Sequence, residues 1–224
     1  MKILRPKQNK HMCKHKRQSW FLIATTLTVF FVVFTLTLKL VDMQSDSSQF
    51  IGWASINIWW RDLIGVHFSW HIISHFIALI SLLVLTGILI WQVITVFHRR
   101  KLSALTRNWW VFDITLLALG LSYLLFQIVA INYRPIQVDG AIEISYPSSH
   151  SLLITTTWLL IIFRLRREIQ SQTWRRILII VGWTLMLTGV IARLLCGYHW
   201  FTDIVGGVLL GTVFAAWYQA FVVE

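Results

Sequence analysis

The chain has 224 residues, of which 57% are hydrophobic and only 13% are charged. A soluble domain normally carries about 25% charged residues, and a mean hydropathy of +0.68 also excludes an ordinary soluble protein. The formal net charge of +11 comes largely from basic clusters beside apolar stretches. Such clusters bind anionic lipid headgroups, so we interpret the charge as a signal of membrane topology and predict no nucleic-acid partner.

Six apolar stretches follow one another along the chain, and about 20 residues suffice to cross a bilayer as a helix. The fourth stretch is short, which predicts that its helix begins in the preceding segment, and the second is long enough to tilt. The sequence predicts an all-α fold: a six-transmembrane-helix bundle in one domain (residues 20–224) after a basic cytoplasmic tail (residues 1–19). The stretches are 20–40, 71–97, 109–131, 151–163, 177–195 and 201–223.

The connection between the first two stretches, residues 41–70, starts polar and becomes aromatic. Its apolar side chains recur at a spacing that favours an interfacial helix lying in the outer membrane interface. Two roles stay open for this helix: a gate or cradle for lipid entering sideways, or simple packing at the interface. The side chains are Trp53, Ile56, Trp59, Trp60, Leu63 and Ile64.

Basic residues are concentrated on one side of the six-span arrangement. The other side carries only Lys39, Arg61, Arg134 and Arg193. Because Lys and Arg mark cytoplasmic loops, we predict a multi-pass protein of the plasma membrane, with both termini in the cytoplasm and an outward-facing site. The cytoplasmic set is Lys2, Arg5, Lys7, Lys10, Lys14, Lys16 and Arg17, then Arg99, Arg100, Lys101 and Arg107, then Arg164, Arg166, Arg167, Arg175 and Arg176.

Three histidines, His67, His71 and His75, are spaced four residues apart near the start of the second stretch. On a helix they share a face, and His pairs at this spacing can bind Zn²⁺. No acidic residue lies between them, and no fourth ligand is evident in the sequence. A metal site and ordinary interfacial histidines both stay open; we favour the second and assign no metal.

Ionisable residues gather at the outward ends of the later stretches, in three short motifs. These are Arg134-Pro135, Pro147-Ser148-Ser149-His150 and Arg193-x5-His199-x3-Asp203. Each motif alone has weak or moderate specificity. Charged residues near a bilayer are costly, however, and are functional by default. The three motifs in this order therefore indicate one shared site.

His199 and Asp203 form the candidate nucleophilic pair. They are four residues apart and share one helix face. A carboxylate there can accept the imidazole N–H and fix the tautomer, which leaves the other ring nitrogen free to attack phosphorus. A structural alternative, an ion pair of Asp203 with Arg193, would leave the second arginine and the second histidine unexplained.

The remaining motif residues suit phosphate binding and proton transfer. Arg134 and Arg193 can grip phosphate oxygens bidentately. Ser148, Ser149 and His150 open the fourth span, and the N–H groups at a helix start form a natural anion site. From that position His150 can protonate the leaving alcohol.

Together the motifs resemble the pattern of the type-2 phosphatidic acid phosphatase (PAP2) superfamily, the lipid phosphate phosphatases related to bacterial acid phosphatases and vanadium haloperoxidases. The family pattern is Lys-x6-Arg-Pro, Pro-Ser-Gly-His and Ser-Arg-x5-His-x3-Asp. This chain has Gln127-x6-Arg134-Pro135, Pro147-Ser148-Ser149-His150 and Ala192-Arg193-x5-His199-x3-Asp203.

The resemblance implies a phosphohistidine at His199 held by Asp203, with His150 as the acid and Arg134 and Arg193 as the phosphate-binding residues. It implies no metal or other cofactor. The implied substrate is a lipid or polyprenyl phosphate drawn from the surrounding membrane lipids. Phosphatidate, phosphatidylglycerol phosphate and undecaprenyl diphosphate are the candidates.

Gln127 departs from the family pattern, since it stands where a phosphate-binding lysine is expected. It lies seven residues before Arg134, or about two turns if the helix continues that far. An amide can donate a hydrogen bond to phosphate but brings no charge. Ser149 for glycine and Ala192 for serine exchange one small residue for another. We therefore predict a working but weakened phosphatase.

Three other functions differ from hydrolysis. A lipid phosphotransferase would pass the phosphoryl group to another lipid, and a non-catalytic lipid-phosphate binder would use the same residues without chemistry. A transporter or channel is disfavoured, because the charged residues cluster at one face and leave no polar path through the spans.

Overall fold

A computed structural model describes residues 7–46, 49–100, 105–136 and 143–223. The helical class is confirmed for this part of the chain, with one unpredicted addition: two three-residue strands, β1 (Gln44–Asp46) and β2 (Gln49–Ile51), pair antiparallel. The topology residues Lys2, Arg5 and Lys101 lie outside the described residues. The helices are α1 (Lys7–Thr37), α2 (Ala54–Ile64), α3 (Phe68–Arg99), α4 (Arg107–Ile128), α5 (Ser149–Glu168), α6 (Gln172–Leu195) and α7 (Phe201–Val222).

Five of the described helices, α1, α3, α4, α6 and α7, are long and apolar enough to cross a membrane. α1 starts at Lys7, inside the segment predicted as a tail; the other helices begin and end within a few residues of the predicted stretches. α5 starts at Ser149, as its short stretch required, and has 20 residues. Its threonines and arginines keep it out of the apolar set, so the six-span count stays a prediction.

α7 lies at the centre of the bundle, where it packs most extensively against α1 and α5. Glycines on α7 permit this close approach. A Cβ atom on Gly207 would lie 2.6 Å from the Ser148 carbonyl oxygen, and one on Gly211 would lie 2.9 Å from Thr155 Cβ. The first turns of α5 and α7 are therefore held together, which places the second and third motifs side by side.

Contacts along α1 show which end of the bundle carries the motifs. In the first half of α1, Trp20 packs against Phe163, late in α5, with 5.6 Å between ring centroids. Near its end, the Thr35 hydroxyl lies 2.6 Å from the hydroxyl of Tyr146, just before α5. The basic cluster around Arg164 therefore lies at one end of the bundle and the motifs lie at the other.

α2 docks on the start of α7 through Asn57, which is fully buried. Asn57 Nδ2 donates to the Thr202 hydroxyl at 2.9 Å, and Asn57 Oδ1 accepts the Thr202 N–H at 3.1 Å. Trp60 packs against Phe201, whereas Trp59 is 58% exposed. A helix is present where the aromatic spacing predicts one; its place in the membrane interface stays a prediction.

Candidate active site

Residues of the three motifs surround one end of the bundle, where a cavity of about 340 Å³ opens. Arg134 reaches the cavity from the segment after α4, Ser149 from the first turn of α5, and His199 from the loop before α7. Gln127, in the last turn of α4, also lines it. Motifs that are far apart in the sequence thus form one site.

The contact between Arg193 and His199 fixes the tautomer of the histidine. Arg193 Nη2 lies 2.8 Å from His199 Nε2, and a guanidinium can only donate. Nε2 is therefore the acceptor, and the proton of the neutral ring is on Nδ1. Both side chains are almost completely buried. The nitrogen that carries the lone pair is thus the one that faces Arg193.

The surroundings of His199 keep its ring neutral. Burial has the largest effect, and the positive charges of Arg193 and Arg134 add to it; together they lower the pKa of the His199 imidazole well below its usual range. Only a neutral imidazole has a lone pair with which to attack. His199 Nε2 therefore stays unprotonated.

Asp203, in the first turn of α7, faces the other side of the His199 ring. Its Oδ2 lies 3.5 Å from His199 Nδ1, longer than a formed hydrogen bond but on the proton-bearing side. The carboxylate is fully buried, with Oδ2 accepting the Trp200 N–H at 3.1 Å and Oδ1 accepting from Asn132 Nδ2 at 3.3 Å. The carboxylate is placed to hold the inferred tautomer.

Asn132 is a site residue that the sequence reasoning missed. It is fully buried, and besides donating to Asp203 it accepts the Gly52 N–H through Oδ1 at 3.3 Å. It thereby ties the segment before α2 to the carboxylate. The only signal in the sequence is its position two residues before Arg134, and that does not distinguish it from any polar residue after a helix.

Arg134 is held by extended backbone and an ion pair. α4 ends at Ile128, so the helix does not continue to Arg134, and the assumption behind the two-turn spacing from Gln127 is wrong. The Arg134 N–H donates to the carbonyl of Glu143 at 3.0 Å, and Arg134 Nε lies 2.9 Å from Glu143 Oε2. Glu143, which was not predicted, therefore competes with a phosphate for this arginine.

The two serines of the second motif differ in their roles. Ser148 is buried; its N–H donates to the Asp203 carbonyl oxygen at 3.0 Å, and its Oγ accepts the Ser151 N–H at 3.4 Å as the cap of α5. The Ser148 N–H is thus already used by a carbonyl oxygen, and the predicted role of Ser148 in phosphate binding stays a prediction. Ser149 lines the cavity at the start of α5, so the anion-binding prediction for this turn now depends on Ser149.

His150 meets histidines of α3. Its Nε2 lies 3.0 Å from His75 Nδ1, and His71 Nδ1 lies 3.0 Å from Arg193 Nη1. His67 precedes α3, and its Nε2 lies 2.7 Å from a backbone carbonyl of α2. The predicted histidine series therefore divides, with two rings in the site and one outside. Within the described ranges, no three metal-ligating side chains come together.

A second cavity of about 520 Å³ adjoins the first. The two share Tyr123, Ser149 and Leu152, and His150 also lines the second. Its remaining walls are formed mainly by aliphatic side chains of α3, α4 and α5. A phosphate in the first cavity would therefore have an apolar space beside it that is large enough for part of a hydrocarbon chain.

Comparisons with known proteins agree with this geometry. The model of the PAP2 superfamily matches residues 116–224, which contain the three motifs. No curated protein matches the chain by sequence comparison. Among solved structures, the chain is similar to the transmembrane PAP2-type phosphatidylglycerolphosphate phosphatase from Bacillus subtilis, with 18% sequence identity and a TM-score of 0.60, over 88% of this chain and 94% of that one. The resemblance predicted from the motifs is thus confirmed: residues 116–224 match the PAP2 superfamily, and the chain has the fold of a transmembrane PAP2-type phosphatase.

Proposed function

We propose that this chain is a membrane phosphatase that hydrolyses a lipid or polyprenyl phosphate or diphosphate through a phosphohistidine on His199. The observation that carries the proposal is the orientation of the His199 ring. Its Nε2 lone pair meets the Arg193 guanidinium at 2.8 Å, and its Nδ1 faces Asp203 at 3.5 Å. A neutral imidazole with its free nitrogen at an arginine-lined anion site suits attack on phosphorus.

The reaction has two steps. In the first, His199 Nε2 bonds to phosphorus, the bond from phosphorus to the leaving oxygen breaks, and His150 gives that oxygen a proton. Arg134 and Arg193 bind the phosphate oxygens, while Asp203 stabilises the charge that develops on the ring. In the second step, water attacks phosphorus, His150 takes a proton from it, and the nitrogen–phosphorus bond breaks to release phosphate and neutral His199.

The second cavity supports a lipid substrate. Its aliphatic walls begin at Ser149 and Leu152, which also line the phosphate cavity. A pocket of this kind suits a ligand with one charged end and one apolar end. The similar solved structure is a phosphatidylglycerolphosphate phosphatase, so we place phosphatidylglycerol phosphate first among the candidates, ahead of phosphatidate and undecaprenyl diphosphate.

Hydrolysis by this site needs no metal in our proposal. The guanidiniums of Arg134 and Arg193, and the helix start at Ser149, supply the positive charge that a metal ion would otherwise bring. Phosphate release should therefore continue in excess EDTA, and vanadate should inhibit by mimicking five-coordinate phosphorus. Loss of activity in EDTA with recovery on adding Zn²⁺ would contradict this part of the proposal.

We further propose that residues 20–224 form a single six-span domain, with α5 as the fourth span and α2 in the outer interface. α5 starts at the motif end, at Ser149, and Phe163 near its other end packs against Trp20 in the first half of α1. The positive-inside rule then puts the basic end and tail 1–19 in the cytoplasm of the producing cell and the site outside.

Cysteine labelling tests this topology. In a chain with Cys13 and Cys196 replaced by serine, Ser45→Cys should react with an impermeant reagent in intact cells, whereas Gln170→Cys should react only after lysis. Labelling of Gln170→Cys alone in intact cells would overturn the orientation.

Phosphate release from a panel of lipid phosphates tests the activity. Wild-type protein in detergent should release inorganic phosphate, and a radioactive phosphate should be trapped on the chain in a base-stable, acid-labile form. His199→Ala should show neither property. Full turnover by His199→Ala would remove the phosphohistidine mechanism.

A second function, lipid-phosphate binding without chemistry, is favoured by Gln127 and by the ion pair of Arg134 with Glu143 at 2.9 Å. Both features reduce the free positive charge in the site. The same panel separates the functions: a binder would retain the lipids without releasing phosphate, and a phosphotransferase would release the lipid alcohol and move the phosphate to an added acceptor lipid.

A further inference from the structure

α3 brings two imidazoles into the site from outside the three motifs. His71 and His75 lie one helical turn apart, on the face of α3 that meets α5 and α6. Each ring contacts a different functional group: His71 contacts Arg193, and His75 contacts His150.

The His71 contact is directional. Because the Arg193 guanidinium can only donate, His71 Nδ1 accepts from Nη1 at 3.0 Å while His199 Nε2 accepts from Nη2 at 2.8 Å. One arginine is therefore held between two imidazoles. The ring of His71 is itself fixed by stacking on Tyr198, with 4.3 Å between centroids and an interplanar angle of 12°.

The His75 contact supports the orientation of His150. His75 Nδ1 lies 3.0 Å from His150 Nε2, and the two ring centroids are 5.0 Å apart. The other nitrogen of His150, Nδ1, is buried and has no hydrogen-bond partner among the described residues. Within that part of the chain, the bond to His75 is thus the polar contact that orients this ring.

We propose that His75 and His71 are positioning residues of the phosphatase, the first for the acid His150 and the second for the phosphate-binding Arg193. The inference rests on the proposed function. In the 3.0 Å contact His75 Nδ1 accepts the Nε2 proton of His150, which fixes the ring and keeps that proton on Nε2; the leaving oxygen then replaces His75 as the acceptor as the phosphorus–oxygen bond breaks. His71 keeps the guanidinium beside His199 Nε2, where the phosphate oxygens must lie.

The two roles predict different kinetic signatures. Losing the support of the acid should matter most when the leaving group needs a proton, whereas loosening Arg193 should weaken phosphate binding for every leaving group. Phenyl phosphate and 4-nitrophenyl phosphate are a matched pair of probes, because nitrophenol leaves readily without a proton and phenol does not. Vanadate has no leaving group, so its inhibition reports on how well the site binds the phosphoryl group without any contribution from leaving-group protonation.

For His75→Ala, we expect kcat on phenyl phosphate to fall about tenfold, as for one lost hydrogen bond, and kcat on 4-nitrophenyl phosphate to change much less. His75→Asn keeps a side chain that can hydrogen-bond near the same position and should recover most of the loss. A merely structural role would lower both rates together and leave their ratio unchanged.

For His71→Phe, the ring that stacks on Tyr198 is kept and the accepting nitrogen is lost. We expect the vanadate inhibition constant and KM for both aryl phosphates to rise by about tenfold, with the ratio of the two kcat values unchanged. The imidazole-specific effect separates this role from simple packing, since the phenyl ring preserves the stack.

His67→Ala is the matched control on the same helical series, and it should leave all of these parameters as in wild type. The basic limb of the pH–rate profile should shift in His75→Ala only. The charged or titratable groups around the pair His75 and His150 are His71, Arg193, Arg134 and His199.

If wild type is active and the ratio of its rates on the two aryl phosphates is the same in His75→Ala, the role of His75 is wrong. If vanadate inhibits His71→Phe as strongly as wild type, the role of His71 is wrong. Wild type that releases no phosphate from any substrate would instead overturn the proposed function, and this inference with it.

Discussion

α5 and α7 form an inner pair of helices, and α1, α3 and α4 form an outer set around them. In the most apolar window of α7, 61% of residues are buried, against 11% in α1, 28% in α3 and 17% in α4. α5 is buried almost continuously from Ser151 to Leu160. The exposed surfaces of the outer helices are thus apolar. The inner pair carries polar residues, and the surrounding helices bury them.

The difference explains why hydropathy finds the outer helices best. An outer helix that crosses a bilayer needs apolar side chains wherever lipid touches it. α5 instead carries Thr155, Thr156 and Thr157, all buried, and ends near the buried Arg164. Protein surrounds this helix, so its composition follows from packing and chemistry. The candidate chemistry lies on the inner pair and on the loops that open it.

The largest effect should come from the carboxylate of the inner pair. Asp203→Asn removes the charge that faces His199 Nδ1, and we expect kcat to fall by about 10²–10⁴-fold while the fold is kept. The matched control on the outer set is Asp113→Asn in α4, which should change kcat by less than about threefold. Equal losses in the two variants would show that the inner carboxylate has no special role.

Replacing glycine by alanine should destabilise the protein when the glycine lies in an inner helix and should not when it lies in an outer helix. Gly207→Ala in α7 places a Cβ atom 2.6 Å from the Ser148 carbonyl oxygen, and overpacking of this kind costs about 1–3 kcal/mol. Gly87→Ala in α3 meets nothing within 4 Å and should be neutral or stabilising by up to about 1 kcal/mol. Melting temperatures in detergent check this; the same melting temperature for both variants would contradict the packing of α5 on α7.

A smaller effect is expected where an outer helix reaches the site. Gln127→Lys in α4 adds a charge to the cavity, and we expect turnover to rise by up to about tenfold, most of all on a diphosphate. Gln127→Glu is the control of opposite sign and should lower turnover. If Gln127→Lys lowers turnover on every substrate of the panel, the amide is a specificity element rather than a weakened lysine position.

The smallest effect is expected inside α5. Thr157 Oγ1 is buried and has no hydrogen-bond partner among the described residues, so Thr157→Val should leave stability unchanged or raise it by at most about 1 kcal/mol. The neighbouring Thr156→Val removes a hydrogen bond to the Leu152 carbonyl oxygen of 2.8 Å and should not stabilise. A clear loss of stability in Thr157→Val would reveal a polar contact that the described structure does not contain.

The helices and the meeting of the motifs could be predicted because the sequence carries them locally. The length of the apolar stretches predicts the outer helices. The i, i+4 spacing of His199 and Asp203 predicts that these two side chains lie on the same helix face. Gln127 was predicted to face the same site as Arg134 if the helix continued that far; α4 ends at Ile128, yet both residues line the cavity, because extended backbone carries Arg134 onward.

The rest of the site depends on contacts between distant segments. No sequence pattern near Asn132 predicts its contact with Asp203, and none near Glu143 predicts its contact with Arg134. The spacing of His71 and His75 was visible. Which helix would face them was not, because that depends on how α3 lies against α5 and α6. Likewise the hydrogen bond from the Ser148 N–H could not be predicted, because its acceptor is the carbonyl oxygen of Asp203 in a distant segment.

The Arg193 guanidinium already forms a hydrogen bond with the His199 nitrogen that would attack phosphorus. Its Nη2 donates to His199 Nε2 at 2.8 Å, so on phosphate binding this N–H must turn from the ring to a phosphate oxygen, and a departing phosphate leaves it free to turn back. The loss of the hydrogen bond between Arg193 and His199 lowers the affinity of the site equally for free phosphate and for the phosphate group of a lipid. Only a lipid is kept beside the site by a hydrocarbon chain that stays in the membrane, which raises the effective concentration of its phosphate group. The contact between Arg193 and His199 would thus favour membrane-borne phosphates and speed the loss of the inorganic product.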